Sequence, residues 1–296
     1  MPDRAADGAE RAATPDTGWR ATVVRVRRGI TEGALVPLSA ATAFYSFLTI
    51  PSALSAAVAF CGLAFDEAAV ERRLALLKGH MGPQAFDMIA GQFHFLVGQP
   101  RGTLFVSFAL SLGVALWSAM GAAASTITAL NAAYGEREAR GALRYGAVVA
   151  ATAIVAILVI LASLALLVIG PIAVARLGLG PWTHGALIAA RWPALVALFG
   201  FAVALAYRFA PSRHIPEWRW VSWGAAAAVA VWLLASAMVS FYAAHFASYA
   251  RVYGSLAGVA LMMLWLYASV FAIVLGAKIN AEIEHRAGGD ESRRSS

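Results

Sequence analysis

The chain has 296 residues, 60% of them hydrophobic and 13% charged, with a mean hydropathy of +0.70. A soluble domain carries about 25% charged residues, so this composition excludes one and predicts an integral membrane protein. The net charge of +7 and pI of about 10.0 would suit a nucleic-acid binder, but in a membrane protein a basic excess marks Arg and Lys kept on the cytoplasmic side, and no nucleic-acid partner is expected.

Residues 1–33 read as a cytoplasmic tail. The first 17 mix Asp, Glu, Arg, Ala and Gly without apolar periodicity, which predicts disorder. The first apolar run starts only near Ala34 and lacks a small-residue cleavage site, so no secretory signal is expected. Trp19, Val23, Val26 and Ile30 recur at helical spacing while Arg20, Arg25, Arg27 and Arg28 mostly face elsewhere. That segment is either a basic amphipathic helix on the anionic inner leaflet or a plain positive flank of the first span.

Six spans follow, at 36–65, 102–130, 143–172, 185–207, 221–245 and 254–281, within a transmembrane domain of residues 34–285; residues 286–296 form a second tail. Sixteen of the 23 Lys and Arg fall on the side that holds both termini and seven on the other. This predicts cytoplasmic termini. The fold class is all-α, a polytopic membrane protein with six transmembrane helices and amphipathic helices in the first outer loop.

The first span carries Ser39, Thr42, Ser46 and Thr49 at spacings of three and four, with Tyr45 beside them and Pro51 inside the helix. Such a stripe either hydrogen-bonds across helices, bonds back to its own helix, or lines a wet cavity. Tyr45, too long for the local bond, favours a cavity shared with the last helix. Cys61, the single cysteine, lies in the same apolar run, which excludes a disulfide framework and a thiolate metal site. In the outer loop, Val70, Leu74 and Leu77 share one helical face, and after a break at Gly79, Gly82 and Pro83, so do Phe86, Ile89, Phe93 and Leu96. These two helices lie at the outer interface or fold back as a lid.

In the second span Ser111, Ser118 and Ser125 repeat every seven residues with Gly121 on a nearby face, a pattern of close helix packing or of a substrate path. The third is apolar nearly all round and should face lipid. The last span places Ala268, Ala272, Gly276 and Asn280 on one small-residue line, continued by Gly254 and Gly258, along which a neighbouring helix can approach. Trp265 and Tyr267 sit near mid-span, where their polar tips need partners inside the protein. Lys278 and Glu282 stand at i, i+4 with Asn280 between them, a trio read as interfacial.

Chemistry is sparse. The acids lie in tails, loops and the end of the last span, and His80, His94, His184, His214, His245 and His285 show no metal-ligand spacing. No P-loop or nucleophile elbow is present. Neither an enzyme nor a cofactor or metal site is expected. A polar path could run through Ser39, Thr42, Tyr45, Ser46, Thr49, Asn131, Tyr207, Arg208, Tyr253, Asn280 and Glu282, without a mid-membrane carboxylate for proton coupling. Arg144, Arg208, Arg213 and Arg219 gather near the inner interface, as topology anchors or as holders of an anionic headgroup.

The motifs YGSL from Tyr253, LWLY from Leu264 and LGAKINAE from Leu275 resemble the end of the YihY/BrkB family of bacterial inner-membrane proteins, sometimes labelled ribonuclease BN. AATAFYSFLTIP from Ala40, LWSAMGAAASTITALNAAYG from Leu116 and YRFAP from Tyr207 are similar to that family's other landmarks, in the same order. The pattern departs at Ile50, Ala250 and Lys278, whereas Asn280 and Glu282 match. The resemblance implies an inner-membrane location and no settled activity. The expected function is transport or organisation of an amphipathic or lipid-like molecule; the alternatives are a non-transporting scaffold and, least favoured, a ribonuclease. Membrane lipids are the expected partners, and a homo-oligomer is compatible with the reading.

Overall fold

The computed structural model describes residues 34–64, 86–87, 90–91, 100–170, 181–213, 218–245 and 255–294. The basic segment of the first 33 residues and nearly all of the outer loop lie outside them. The described chain forms α1 (Leu35–Ala64), α2 (Arg101–Tyr134), α3 (Ala142–Leu164), α4 (Pro181–Phe209), α5 (Trp218–His245) and α6 (Ser255–Arg294). All six are long and apolar enough to cross a membrane. Each covers its predicted span to within a few residues, except that α6 runs on to Arg294, through the stretch read as a tail. A π-helical turn, Ala165–Ile169, continues α3.

Helix ends follow local chemistry. Gly135 stops α2: it adopts a left-handed φ of 72°, which costs glycine no Cβ clash, and lets its N–H reach the Ala132 carbonyl at 3.2 Å while the Glu136 N–H reaches that of Asn131 at 2.8 Å. α4 ends just before Pro211, which cannot continue it.

Each helix packs on its sequence neighbours, and α6 closes back onto α1 and also touches α2. The pairings fix antiparallel registers. Thr49 donates to Ser118 at 2.9 Å, and Phe60 meets Phe108 between α1 and α2. Between α5 and α6 two tryptophans exchange bonds: Trp232 Nε1 donates to Ser269 Oγ and Trp265 Nε1 to Ser236 Oγ, both at 3.1 Å. Trp265, itself exposed, finds its partner on α5 at the bundle surface rather than inside, and Tyr267 stacks on Phe271 of its own helix.

Burial is lopsided. In α3, α4 and α5 every described buried residue, Val149, Ala153, Val203, Tyr207, Ala225 and Ala228 among them, lies in the half nearest the 135–141 connection. The small-residue line of α6 shows why. At Gly276 an added Cβ would meet Ala228 Cβ and Tyr207 Oη at 2.6 Å and the Gly224 carbonyl oxygen at 2.7 Å, whereas at Gly258 it would meet nothing within 4 Å. Close approach is thus confined to one end, and the extension of the line to Gly258 carries no contact. α3 exposes Ile154, Ile157, Leu158, Ile160, Leu161 and Leu164, the surface expected of a lipid-facing helix.

Candidate functional site

Two features stand out: a buried polar cluster at the closely packed end, and a groove between α1 and α2 in the opposite half. The cluster centres on Asn280, fully buried on α6. Its amide donates to Tyr134 Oη at 3.2 Å and to Glu284 Oε1 at 2.7 Å, and its oxygen accepts the Gly224 N–H at 3.1 Å. Asn280 can come this close to the α5 backbone because Gly224 has no side chain: a Cβ would stand 2.4 Å from Asn280 Cβ and 2.8 Å from its Cγ. Glu284 pairs with Arg213, whose guanidinium lies 3.7 Å from the centroid of the Tyr134 ring and reaches the Tyr207 carbonyl at 3.4 Å. Tyr207, fully buried, donates to the Ile273 carbonyl and meets Tyr134 edge-on at 6.4 Å.

A second layer stitches two connections together. Arg140 grips Glu138 with both prongs, at 2.7 and 2.8 Å, and donates to the Ala210 carbonyl at 2.8 Å. Asn131 donates to Glu138 at 3.1 Å and accepts the Ser212 N–H at 2.8 Å. The hydrogen bonds from Arg140, aided by that from Asn131, pull the Glu138 carboxyl from its ordinary 4.5 down to about 2.

The sequence-predicted residues divide between these places. Asn131, Tyr207 and Asn280 join the cluster, and Glu282, also buried, pairs with Lys278 at 3.3 Å. Asn280, read as interfacial, is a core residue, because α5 leans onto its face at Gly224. Arg213, read as an anchor or headgroup holder, is instead engaged by Glu284 and Tyr134. Arg208 lies over Phe209 at 5.6 Å. Tyr253 and the side chain of Arg219 lie outside the described residues. In α1, Ser39, Thr42 and Thr49 donate to carbonyls four residues back, at 2.8, 3.0 and 2.8 Å, and Ser39 and Thr42 are buried. Ser46 is half-buried. The Tyr45 ring lies on α2, edge-on to Trp117 at 5.7 Å and against Gly121, where a Cβ would stand 2.7 Å away.

Sequence reasoning missed Tyr134, Glu138, Arg140, Gly224 and Glu284. Their partners lie up to 146 residues away, and only the helix registers bring them together. The available signal was an arginine and an acid on each of two short connections or helix ends.

The groove is lined by Pro51, Ser52 and Ser55 of α1 and by Ser107, Leu110, Ser111 and Val114 of α2, with a volume of about 420 Å³. Four serines beside Leu110 and Val114 make a surface both apolar and hydrogen-bonding. Ser52 and Ser111 direct their protons to their own helices, at 2.9 and 2.6 Å, which leaves their oxygens free to accept.

Six apolar helices tied at one end by buried polar bonds define an α-helical polytopic membrane protein. The chain matches the family described as Virulence factor BrkB over residues 26–296 and belongs to that family. It is similar to YfkH of Bacillus subtilis (strain 168), a protein named as ribonuclease-like: 29% identity over 219 residues, 72% of this chain and 78% of YfkH. A UPF0761 membrane protein of Tolumonas auensis is 34% identical over 91 residues, 31% of this chain and 29% of that relative. The UPF0761 membrane protein IL2447 of Idiomarina loihiensis is 30% identical over 90 residues, 30% and 31% of the two chains. The chain therefore aligns with under a third of the length of those two relatives. No solved structure matches it.

Proposed function

We propose that this protein handles a lipid-like amphipathic molecule in the bacterial inner membrane, taking it up laterally along the α1–α2 groove, with the polar cluster closing the cytoplasmic end. The observation that carries this reading is the lopsided packing. Among the described residues, α3, α4 and α5 bury side chains in one half only, and the α1–α2 groove, on the other half, offers serine oxygens among apolar side chains. A molecule with a polar head and a hydrocarbon tail satisfies both surfaces, which a simple ion does not. The excess of basic residues on the side of the 135–141 connection supports placing the closed end, and both termini, in the cytoplasm.

The test is photo-crosslinking in membranes with a phospholipid analogue that bears a diazirine in its acyl chain. Adducts should concentrate on peptides covering Pro51, Ser55, Leu110 and Ser111, and Ser111→Phe, which fills the groove, should remove them. Adducts spread evenly over the lipid-facing surface of α3 would contradict the reading.

A scaffold without transport is the second reading. What favours it is that Ser39 and Thr42 close their hydrogen bonds within α1 and Thr49 bonds to its own helix and to Ser118 of α2, so their hydroxyls need no wet cavity. Movement of a labelled lipid across proteoliposomes that depends on the protein and is blocked by Ser111→Phe separates the two. A ribonuclease is disfavoured because three acids near the closed end are engaged by cations, Glu138 by Arg140, Glu284 by Arg213 and Glu282 by Lys278. Purified protein should turn over no RNA with Mg²⁺, Mn²⁺ or Zn²⁺ present; cleavage lost on substituting Glu138 or Glu282 would reverse this judgement.

A further inference from the structure

A cavity of about 250 Å³ opens between the far ends of α3 and α4, walled by Leu166, Leu187, Ile188, Ala190, Arg191 and Ala194. One wall is the π-helical turn, Ala165–Ile169. Such a turn holds an extra residue and bulges the backbone, a feature that recurs at functional positions in helices.

Arg191 is the anomaly in this cavity. It stands six residues inside the span that begins at Gly185, about 9 Å along the axis at ~1.5 Å per residue. A charge at that depth calls for a partner. Neither α3 nor α4 contains an Asp or Glu. The Arg191 side chain is half-buried, and its Nε is buried without a hydrogen-bond partner. Its recorded contact is with the ring of Trp192, 5.3 Å from the centroid. Trp182, just before the span, is exposed as indoles are at the level of lipid headgroups, and Trp192 is exposed one residue further in than Arg191.

The geometry points to a site for one anionic phospholipid, its phosphate on the Arg191 guanidinium and its proximal chain against Leu166, Leu187 and Ile188. The fixed fork of donors suits phosphate oxygens, and the aliphatic wall suits the glycerol and first methylenes. A zwitterionic lipid presents the same phosphate with a compensating ammonium, so it gains less from an unpaired cation. This site is separate from the α1–α2 groove and stands whether or not that groove carries a substrate.

Native mass spectrometry of the full-length protein in a mild detergent tests it, with phosphatidylglycerol and phosphatidylethanolamine added in equal amounts. Phosphatidylglycerol should be retained about five- to tenfold better, the worth of one well-placed basic residue. Arg191→Gln should erase that preference, and Arg191→Lys, which keeps the charge without the fork, should keep part of it. Ala194→Phe fills the cavity and keeps the charge; it should lower phosphatidylglycerol retention, and it decides the matter if Arg191→Gln does not fold. An unchanged preference in the folded Gln variant, or unchanged retention in Ala194→Phe, overturns the site. Displacement of the lipid by excess inorganic phosphate alone would assign the cation to a soluble anion and overturn the lipid claim as well.

Discussion

Asn280 is the residue on which most of the closed end converges. Its three hydrogen bonds link α6 to α2, to α5 and to the next turn of its own helix. Hydrogen bonds between membrane helices average about 0.6 kcal/mol each, so Asn280→Leu should lower stability by ~2 kcal/mol, measured by unfolding in mixed micelles. A change within about 0.5 kcal/mol would mean that water or the bilayer satisfies these groups as well as the protein does. Gly276→Ala tests the same contact by volume. Its new methyl would press on Ala228, Tyr207 and the Gly224 backbone, of which the last cannot yield, and a cost of about 1–3 kcal/mol is expected. Glu138 provides a pH readout outside the membrane. Its folded pKa of about 2 lies below the ordinary 4.5, so the bonds that tie the 135–141 connection to Ala210 and Ser212 are complete above about pH 4.5 and are lost as pH falls through 2. Protection of the Ala139 and Ser212 amides from hydrogen exchange, relative to unstructured amides at the same pH, should therefore persist at pH 4 and fall toward pH 2, a loss that Glu138→Gln should bring to neutral pH.

At the scale of elements, α1 and α2 behave as one unit, packed along their whole length with Tyr45 seated on Gly121. The ring, not the phenol oxygen, makes the recorded contacts. Tyr45→Phe should thus leave stability within ~0.5 kcal/mol, whereas Gly121→Val should cost about 1–3 kcal/mol by pushing that ring off α2. The helices themselves were legible because hydropathy over twenty residues depends only on local composition. So was the face of α6 bearing Ala272, Gly276 and Asn280, since small residues at a spacing of four mark a close approach whatever the partner. What a single sequence does not contain is register. Nothing local says that Gly224 sits opposite Asn280, or that Arg213 lies over Tyr134 rather than in the headgroup layer. The hydroxyl stripe of α1 was legible as a pattern but ambiguous in meaning, because Ser and Thr bond equally well to their own helix or to a neighbour.

For the whole molecule, the account is of a six-helix membrane protein closed at one end by buried polar bonds; in the other half the described residues of α3, α4 and α5 are less closely packed, while α1 and α2 stay packed and carry the groove on their surface. The proposed orientation rests on the basic residues: in a Cys61→Ser background, cysteines placed between residues 66 and 100 should react with an impermeant thiol reagent added outside, and those at residues 137 and 139 should not. The reverse pattern would invert the topology and move the closed end outside. The central claim, a sealed interface among α4, α5 and α6 and an accessible groove on α1 and α2, is tested most directly by cysteine accessibility in native membranes. Ser55→Cys and Ser111→Cys, on the groove, should be modified by a small membrane-soluble maleimide, while Val203→Cys and Ala277→Cys, buried among α4, α5 and α6, should stay unmodified until the protein is denatured. Equal modification of all four positions in folded protein would contradict the account.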